Sequence, residues 1–180
     1  MAEFRLETER LVLRDWRADD CDDFHRLGSD PEVMKTLGPV LTREQTASLI
    51  EDLQRRARRF GHTFWALEDK RDARVIGFTG LVRGKAPQIA GELEIGWRLA
   101  RDCWGKGLAT EAALASIAWA RANCPDPFVI AITSETNADS RAVMERLGMR
   151  HVPERDFDHP AVPDGDPLRP HVLYELELKQ

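Results

Sequence analysis

Cysteine is scarce in this chain of 180 residues, which has only Cys21, Cys103 and Cys124. The three lie far apart and form no CxxC pair. An odd, scattered set argues against a disulfide framework, so we expect a protein of a reducing compartment, the cytoplasm. The histidines also lack ligand spacing with these cysteines, and no metal site is expected.

Long apolar runs are absent as well. The longest strongly apolar stretch, residues 108–120, is interrupted by Thr110, Glu111 and Ser116, and the charged N-terminus does not resemble a signal peptide. An excess of positive charge is also missing, because 26 Lys and Arg stand against 31 Asp and Glu. These absences argue against a membrane protein and against a general nucleic-acid binder.

The composition that remains is typical of one folded domain. Hydrophobic residues make up 42% of the chain, and a chain of this length buries roughly 70% of its unfolded surface without crosslinks. We find no internal repeat and no linker, so residues 1–180 are interpreted as a single domain.

The apolar periodicity predicts alternating strands and helices, hence an α/β fold with a mixed sheet. Leu93, Ile95, Trp97 and Leu99 alternate with polar residues, and an apolar helix separates this strand from the next. That strand–helix–strand unit requires a parallel pair with a right-handed crossover. The predicted strands are 4–14, 62–67, 74–82, 92–99, 128–132, 149–153 and 171–178; the predicted helices are 19–27, 42–60, 105–122 and 137–147, with a short one near Asp30.

A glycine-bearing turn between the strand 92–99 and the next helix carries the strongest chemical signal. Gly105 and Gly107 let an anion approach the free N–H groups at the start of that helix, which favours a phosphate or diphosphate ligand. A P-loop is excluded by Ala100 and by Gly107 itself, and a dinucleotide fingerprint by Thr110. The alternative is that the glycines only form a tight turn.

A second polar cluster, residues 134–140, follows the apolar strand 128–132. Sites in α/β sheets lie at the carboxyl ends of parallel strands, so this cluster and the glycine turn are expected on the same side. The alternative interpretation makes Asn137 a plain helix cap and Ser140 an idle residue of the first turn.

Four segments, in order, resemble the GNAT acetyltransferases, in the branch that includes ribosomal-protein N-terminal acetyltransferases. They are Thr8-Glu9-Arg10-Leu11-Val12-Leu13-Arg14; Asp30-Pro31-Glu32-Val33-Met34; Glu94-Ile95-Gly96-Trp97 with Trp104-Gly105-Lys106-Gly107-Leu108-Ala109-Thr110-Glu111-Ala112; and the run from Asn137 to Met149. Together they span nearly the whole chain.

The resemblance implies a mostly antiparallel sheet, splayed at its centre with helices on both faces, and acetyl-CoA as cosubstrate without a metal. The pantetheine arm would run between the strands 92–99 and 128–132, and Asp102 departs from the Gln or Arg that the family often has at that position. The residues implied in acetyl-CoA binding are Leu99, Arg101, Gly105, Lys106, Gly107, Leu108, Ala109, Thr110 and Asn137.

The implied reaction is transfer of an acetyl group from the thioester to an amine by direct attack in a ternary complex. Glu94 is the favoured general base and Glu92 the second candidate, against the alternative that both are solvated. An N–H near Leu99 is the candidate donor to the developing oxyanion. Many relatives have a tyrosine acid where this chain has Met144, so Ser140 is the preferred acid and Tyr174 a lesser one.

The acceptor is left open between a protein N-terminus and a small-molecule amine. The resemblance leaves room for a homodimer, and the acidic loop 157–170 is a candidate cover for a cationic acceptor. The rival function is a non-catalytic acyl-CoA-binding sensor of the same fold.

Overall fold

The computed structural model describes residues 3–179, which form one α/β domain around a nine-stranded sheet. The strands are β1 (Arg5–Glu7), β2 (Leu11–Arg14), β3 (Phe64–Asp69), β4 (Val75–Arg83), β5 (Leu93–Leu99), β6 (Phe128–Ser134), β7 (Arg150–His151), β8 (Phe157–Asp158) and β9 (Pro170–Glu177). The helices are α1 (Cys21–Gly28), α2 (Pro31–Met34), α3 (Arg43–Phe60), α4 (Leu108–Asn123) and α5 (Ala138–Arg146). Four 3₁₀ turns lie at 18–20, 87–89, 101–103 and 153–155.

The sheet has the order β1-β2-β3-β4-β5-β6-β9-β7, with β8 also pairing with β9. Within residues 3–179, only β5 and β6 run parallel, and α4 makes the crossover between them, as the sequence predicts. Glu94 and Ile130 are the sole registered pair of these two strands, whereas β4 and β5 pair over seven positions. The sheet is therefore splayed at its centre beyond Glu94, which confirms the expected architecture.

Local signals in the sequence explain where α3 begins and ends. Thr42 accepts a hydrogen bond from the Gln45 N–H, and the Gln45 side chain accepts one from the Thr42 N–H. Gly61 ends the helix in the left-handed conformation, with φ of +74°. Asp30 likewise caps the short helix α2, since its side chain accepts from the Glu32 N–H.

Two sequence predictions need correction. The single strand predicted over 4–14 is a hairpin of β1 and β2, because the chain turns at Thr8, whose N–H donates to the Leu11 carbonyl. The helix predicted from Gly105 begins at Leu108, because Gly105 and Gly107 have φ of +70° and +75° and cannot continue a right-handed helix. The sequence also misses β8, which pairs with β9 inside the segment 157–170 predicted as a loop. The other elements agree with the predictions, with shifted ends.

The two faces of the sheet have different neighbours. On one face Trp65 packs edge-on against Trp119 of α4. On the other face Phe64 stacks on Phe78, and Phe78 meets Phe24 of α1. We call these the α4 face and the α3 face, since α3 contributes Leu49 and Leu53 beside Phe64. Register and alternation place Glu94, Gly96 and Arg98 on the α3 face.

Close approach of β4 to β5 makes one glycine indispensable, which gives a stability test. A Cβ at Gly77 would lie 2.0 Å from the Arg98 carbonyl oxygen, and φ there is +154°. Gly77→Ala is expected to lower the free energy of unfolding by about 3 kcal/mol or more, measured by urea denaturation.

The matched control is Gly165→Ala, because Gly165 also has positive φ (+80°) but open space around it. Its loss is expected to be about 1 kcal/mol, the strain of a left-handed L-residue alone. Equal losses in the two variants would contradict the close approach.

Candidate functional site

Two cavities border β5. The large cavity opens where β5 and β6 diverge, and the small cavity opens on the α3 face. The large cavity has a volume of about 800 Å³ and the small cavity about 220 Å³. α2, the end of β5, the glycine turn and the starts of α4 and α5 line the large cavity, whereas α3, β4 and Glu94 line the small one. Eight predicted site residues line the large cavity: Leu99, Gly105, Gly107, Leu108, Ala109, Thr110, Asn137 and Ser140.

The glycine turn presents an uncapped helix start to the large cavity. Gly107 is the N-cap of α4, and it has no side chain to accept from the first N–H groups. Those N–H groups have no acceptor within the helix, and they carry the positive end of its dipole. Gly105 has open space around it, since no atom lies within 4 Å of a Cβ built there. The arrangement suits a diphosphate.

Arg10 and Thr8, at the β1–β2 turn, hold this cradle from behind. Arg10 Nη1 donates to the Lys106 carbonyl at 2.9 Å, and Arg10 Nε donates to Glu111 Oε2 at 2.6 Å. The Arg10 N–H and the Thr8 hydroxyl both donate to Glu111 Oε1. These bonds lower the pKa of Glu111 against the effect of its burial. These contacts hold the glycine turn in place and neutralise the negative charge of Glu111, which lies beside the anion cradle.

The end of β5 offers backbone groups to the gap. Ala100 donates its N–H to Ile76 of β4, so alternation turns the N–H and carbonyl of Leu99 toward β6. The Leu99 carbonyl accepts from Trp104 Nε1 at 2.9 Å, and Trp104 itself is 43% exposed. The Leu99 N–H therefore remains for a ligand entering between the strands, while its carbonyl already has a partner.

Asn137 and Ser140 lie across the gap at the start of α5. Asn137 is buried, and its Oδ1 accepts from the Ser140 N–H at 3.2 Å, so it is the helix cap of the alternative interpretation. The Asn137 side-chain nitrogen has no hydrogen-bond partner within residues 3–179, which leaves it for a ligand. Ser140 is half-buried in the wall of the same cavity.

Glu94 lies in the small cavity among mostly apolar side chains. Burial raises the pKa of Glu94 to about 7, although Arg56 across the cavity favours the charged form. Arg56 is committed to Asp52, with Nε 2.8 Å from Oδ2, and forms no salt bridge with Glu94 among the described residues. A carboxyl group that titrates near neutral pH suits proton transfer at physiological pH.

Other predicted residues lie elsewhere. Glu92 precedes β5 and forms a salt bridge with Arg155 at 2.5 Å, outside both cavities. Arg101 is exposed in a 3₁₀ turn, and the Lys106 ammonium donates to the Asp102 carbonyl, so neither side chain lines the large cavity. Tyr174 is buried, and its hydroxyl lies 3.3 Å from Arg141 Nε, away from both cavities.

The loop 157–170 reaches the small cavity through His159. Two of its acids, Asp158 and Asp164, share one cationic partner, Arg169. Burial and the neighbouring His171 lower the pKa of His159. With Asp166 as a third acid, the loop borders the small cavity and keeps a net negative charge.

Residues 3–179 contain neither an arranged set of metal ligands nor a membrane-spanning helix. No cluster of His, Cys, Asp or Glu in that range is arranged to hold a metal ion. No helix there combines the length and the apolar character that crossing a membrane requires.

Comparisons with known proteins agree with the fold. A family model described as "Acetyltransferase (GNAT) domain" matches residues 10–150. The "Uncharacterized protein YkkB" of Bacillus subtilis (strain 168) is 31% identical over 153 residues, covering 83% of this chain and 87% of that protein.

Solved structures are similar over almost the whole chain. An acetyltransferase from Agrobacterium tumefaciens str. C58 has a TM-score of 0.79 at 26% identity, covering 98% of this chain and 96% of its own. The RimL ribosomal L7/L12 alpha-N-protein acetyltransferase, in complex with coenzyme A, has a TM-score of 0.78 at 15% identity, covering 97% and 98%. At 15% identity the likeness concerns the fold alone.

The Arg10 contacts predict an effect on ligand affinity. Arg10→Ala is expected to raise the Kd for coenzyme A about tenfold, since a tenfold change is ~1.4 kcal/mol and charge-assisted bonds are worth about that much. Replacing Glu111 by Gln in the same chain is expected to restore part of the loss, because it removes the uncompensated carboxylate. Isothermal titration calorimetry measures both.

Arg5→Ala is the matched control, because Arg5 forms an exposed salt bridge with Glu7 on the same strand, β1. Its Kd for coenzyme A is expected to equal that of the unmodified chain. If Arg10→Ala also had the Kd of the unmodified chain, the Arg10 contacts would not support the anion site.

Proposed function

Since the chain belongs to the GNAT acetyltransferase family and is an acetyl-CoA-dependent N-acetyltransferase, we propose that it acetylates a primary amine by direct attack in a ternary complex. The observation that carries the proposal is a continuous arrangement along β5. An uncapped helix start follows the strand, a free N–H lies at Leu99, and a carboxyl group with a raised pKa lies at Glu94.

The large cavity is the proposed acetyl-CoA site. The N–H groups from Gly105 to Thr110 would bind the diphosphate, and the Asn137 side-chain nitrogen would donate to the pantetheine arm. The Leu99 N–H would donate to the carbonyl oxygen as negative charge develops there. Of the residues expected to contribute, Arg101 and Lys106 would act through backbone groups only, because their side chains lie outside the cavity.

The acceptor amine would enter from the α3 face, where Glu94 lies. The amine nitrogen forms a bond to the acetyl carbon, the carbon–sulfur bond breaks, and the nitrogen loses one proton. Glu94, as carboxylate, accepts that proton directly or through water, and Ser140 is the candidate donor to the departing thiolate. A free α-amine has a pKa near ~8, so little energy is needed to deprotonate it at neutral pH.

The small cavity limits the acceptor. Its volume of about 220 Å³ admits a short side chain or a small amine next to Glu94. The proposal therefore favours a flexible protein N-terminus or a small molecule as acceptor over an amine on the surface of a folded protein. A homodimer and a cytoplasmic location remain predictions from the sequence.

Release of free thiol from acetyl-CoA, followed across a panel of amines, tests the proposal. At least one amine is expected to raise thiol release above the background hydrolysis, and Glu94→Gln is expected to reduce kcat by about 10²- to 10³-fold. Glu145→Gln, on the exposed side of α5, serves as control and should keep full turnover. Coenzyme binding without amine-dependent release would favour the sensor instead.

The raised pKa of Glu94 predicts a pH profile. Below pH 7 the carboxyl is protonated and cannot accept a proton, so kcat/KM is expected to rise with pH through about 7. The acceptor amine adds its own limb near ~8. Measuring kcat/KM between pH 5 and 9, as about nine points, separates the two.

Glu94→Gln is the comparison for that profile. It should retain the limb of the amine and lose the limb near pH 7. A limb near pH 7 that survives in Glu94→Gln would assign the ionisation to another group.

A further inference from the structure

Arg98 extends from the splayed half of β5 over the α3 face. It pairs in register with Phe78 of β4, and its guanidinium carbon lies 5.3 Å from the centre of the Phe78 ring. Arg98 also lines the large cavity, together with residues of and after α2. Phe64 covers Gly96, since its Cζ would lie 2.8 Å from a Cβ built there. Phe64 therefore stands between Glu94 and Arg98.

The guanidinium of Arg98 is without an anionic partner. Its Nε and Nη1 atoms are buried and make no hydrogen bond within residues 3–179. No salt bridge joins Arg98 to a carboxylate of that range. Glu32 lines the same cavity but makes no such contact. Burial lowers the pKa of Arg98 to about 10, so the group still carries its charge at neutral pH.

Arg14 shows what this fold does with a buried arginine that serves structure. Its Nη1 and Nη2 donate to both oxygens of Asp20, at 2.9 and 2.7 Å, and its Nε donates to Glu68 at 2.7 Å. Every nitrogen of that guanidinium has an acceptor. Two nitrogens of a charged group buried without acceptors are destabilising, and the cation–π contact with Phe78 compensates only part of that. Arg98 therefore lacks hydrogen-bond acceptors that a bound ligand would supply.

The position of Arg98 indicates which ligand supplies the anion. The diphosphate of the cofactor is assigned to the start of α4, whereas Arg98 lies on the opposite, α3 face. The pantetheine arm is uncharged, and the remaining anionic group of coenzyme A, the ribose 3′-phosphate, is on the far side of the diphosphate from the thioester. Lys35 lines the same part of the cavity and adds a second cation. An anion bound at Arg98 therefore has to come with the other substrate, which approaches the same face toward Glu94.

We propose that Arg98 binds a carboxylate of the acceptor, which makes the acceptor an amine with an acidic group some distance away. The inference rests on the proposed function. Arg98 lies four positions after Glu94 on the strand, which corresponds to about 13 Å between their Cα atoms. The amine and carboxylate of a free α-amino acid are too close to span this distance. A peptide N-terminus with an acidic residue among its first few positions has the required length.

Paired acceptors test the assignment. The starting point is the neutral peptide that is the best acceptor in the thiol-release panel. It is synthesised as two tripeptide amides, one with Asp and one with Asn at the third position. The Asn peptide is also made with a free C-terminal carboxylate. The unmodified enzyme is expected to prefer the Asp peptide over the Asn peptide at least tenfold in kcat/KM. Arg98→Gln is expected to reduce that ratio to near one, and Arg98→Lys to leave an intermediate ratio.

Arg121→Gln is the matched control, because Arg121 is exposed on α4 away from both cavities. Its ratio should equal that of the unmodified enzyme. A ratio near one in the unmodified enzyme, or a ratio that survives in Arg98→Gln, would overturn the proposal. A raised Kd for coenzyme A in Arg98→Gln would assign Arg98 to the cofactor instead. A different result, in which no amine of the panel raises thiol release, would contradict the proposed function itself.

Thermal unfolding supplies a test that needs no acceptor. Because Nε and Nη1 of Arg98 are buried without acceptors, Arg98→Gln is expected to leave the Tm of the ligand-free protein unchanged or raised. Arg14→Gln is expected to lower the Tm, since it leaves Asp20 and Glu68 without their partner. Equal decreases in both variants would mean that Arg98 has an internal partner, and would overturn the proposal.

Discussion

The divergence of β5 from β6 beyond the Glu94–Ile130 pair is the constraint on which the site depends. A continuous parallel pair would use the backbone groups of β5 up to Leu99 inside the sheet. The divergence leaves the N–H of Leu99 free, and the same strand leads through the glycine turn into α4. Because the hydrogen-bond ladder between β5 and β6 is interrupted, the end of β5 and the start of α4 both present free N–H groups. A long ligand therefore meets hydrogen-bond donors along its length.

Electrostatics divide the site into two sides of the sheet. At the start of α4, backbone dipoles attract an anion, and Arg10 neutralises the carboxylate of Glu111. On the α3 face, Glu94 is destabilised as an anion and Arg98 as a cation, both by burial. Unpaired groups of opposite charge on one strand, separated by Phe64, form a surface that lacks partners until a substrate binds it.

Local patterns predicted much of this. Alternation in residues 93–99 and the apolar helix after them indicated the parallel crossover, and Gly105 and Gly107 indicated the cradle. The roles of Arg10 and Arg98 were not predicted, because each depends on contacts with residues distant in sequence. Glu92 was placed beside Glu94 by alternation alone, while Arg155, its partner, comes from a distant turn. Periodicity assigns a face, and only tertiary packing shows which groups remain unpaired.

Amide hydrogen exchange of the full chain, with and without coenzyme A, tests the central claim most directly. The account predicts slower exchange on binding for the N–H groups of Leu99 and of residues 105–110, with little change in β1 to β3. Protection confined to other segments, or none at saturating coenzyme, would contradict the claim that these free backbone donors form the binding site.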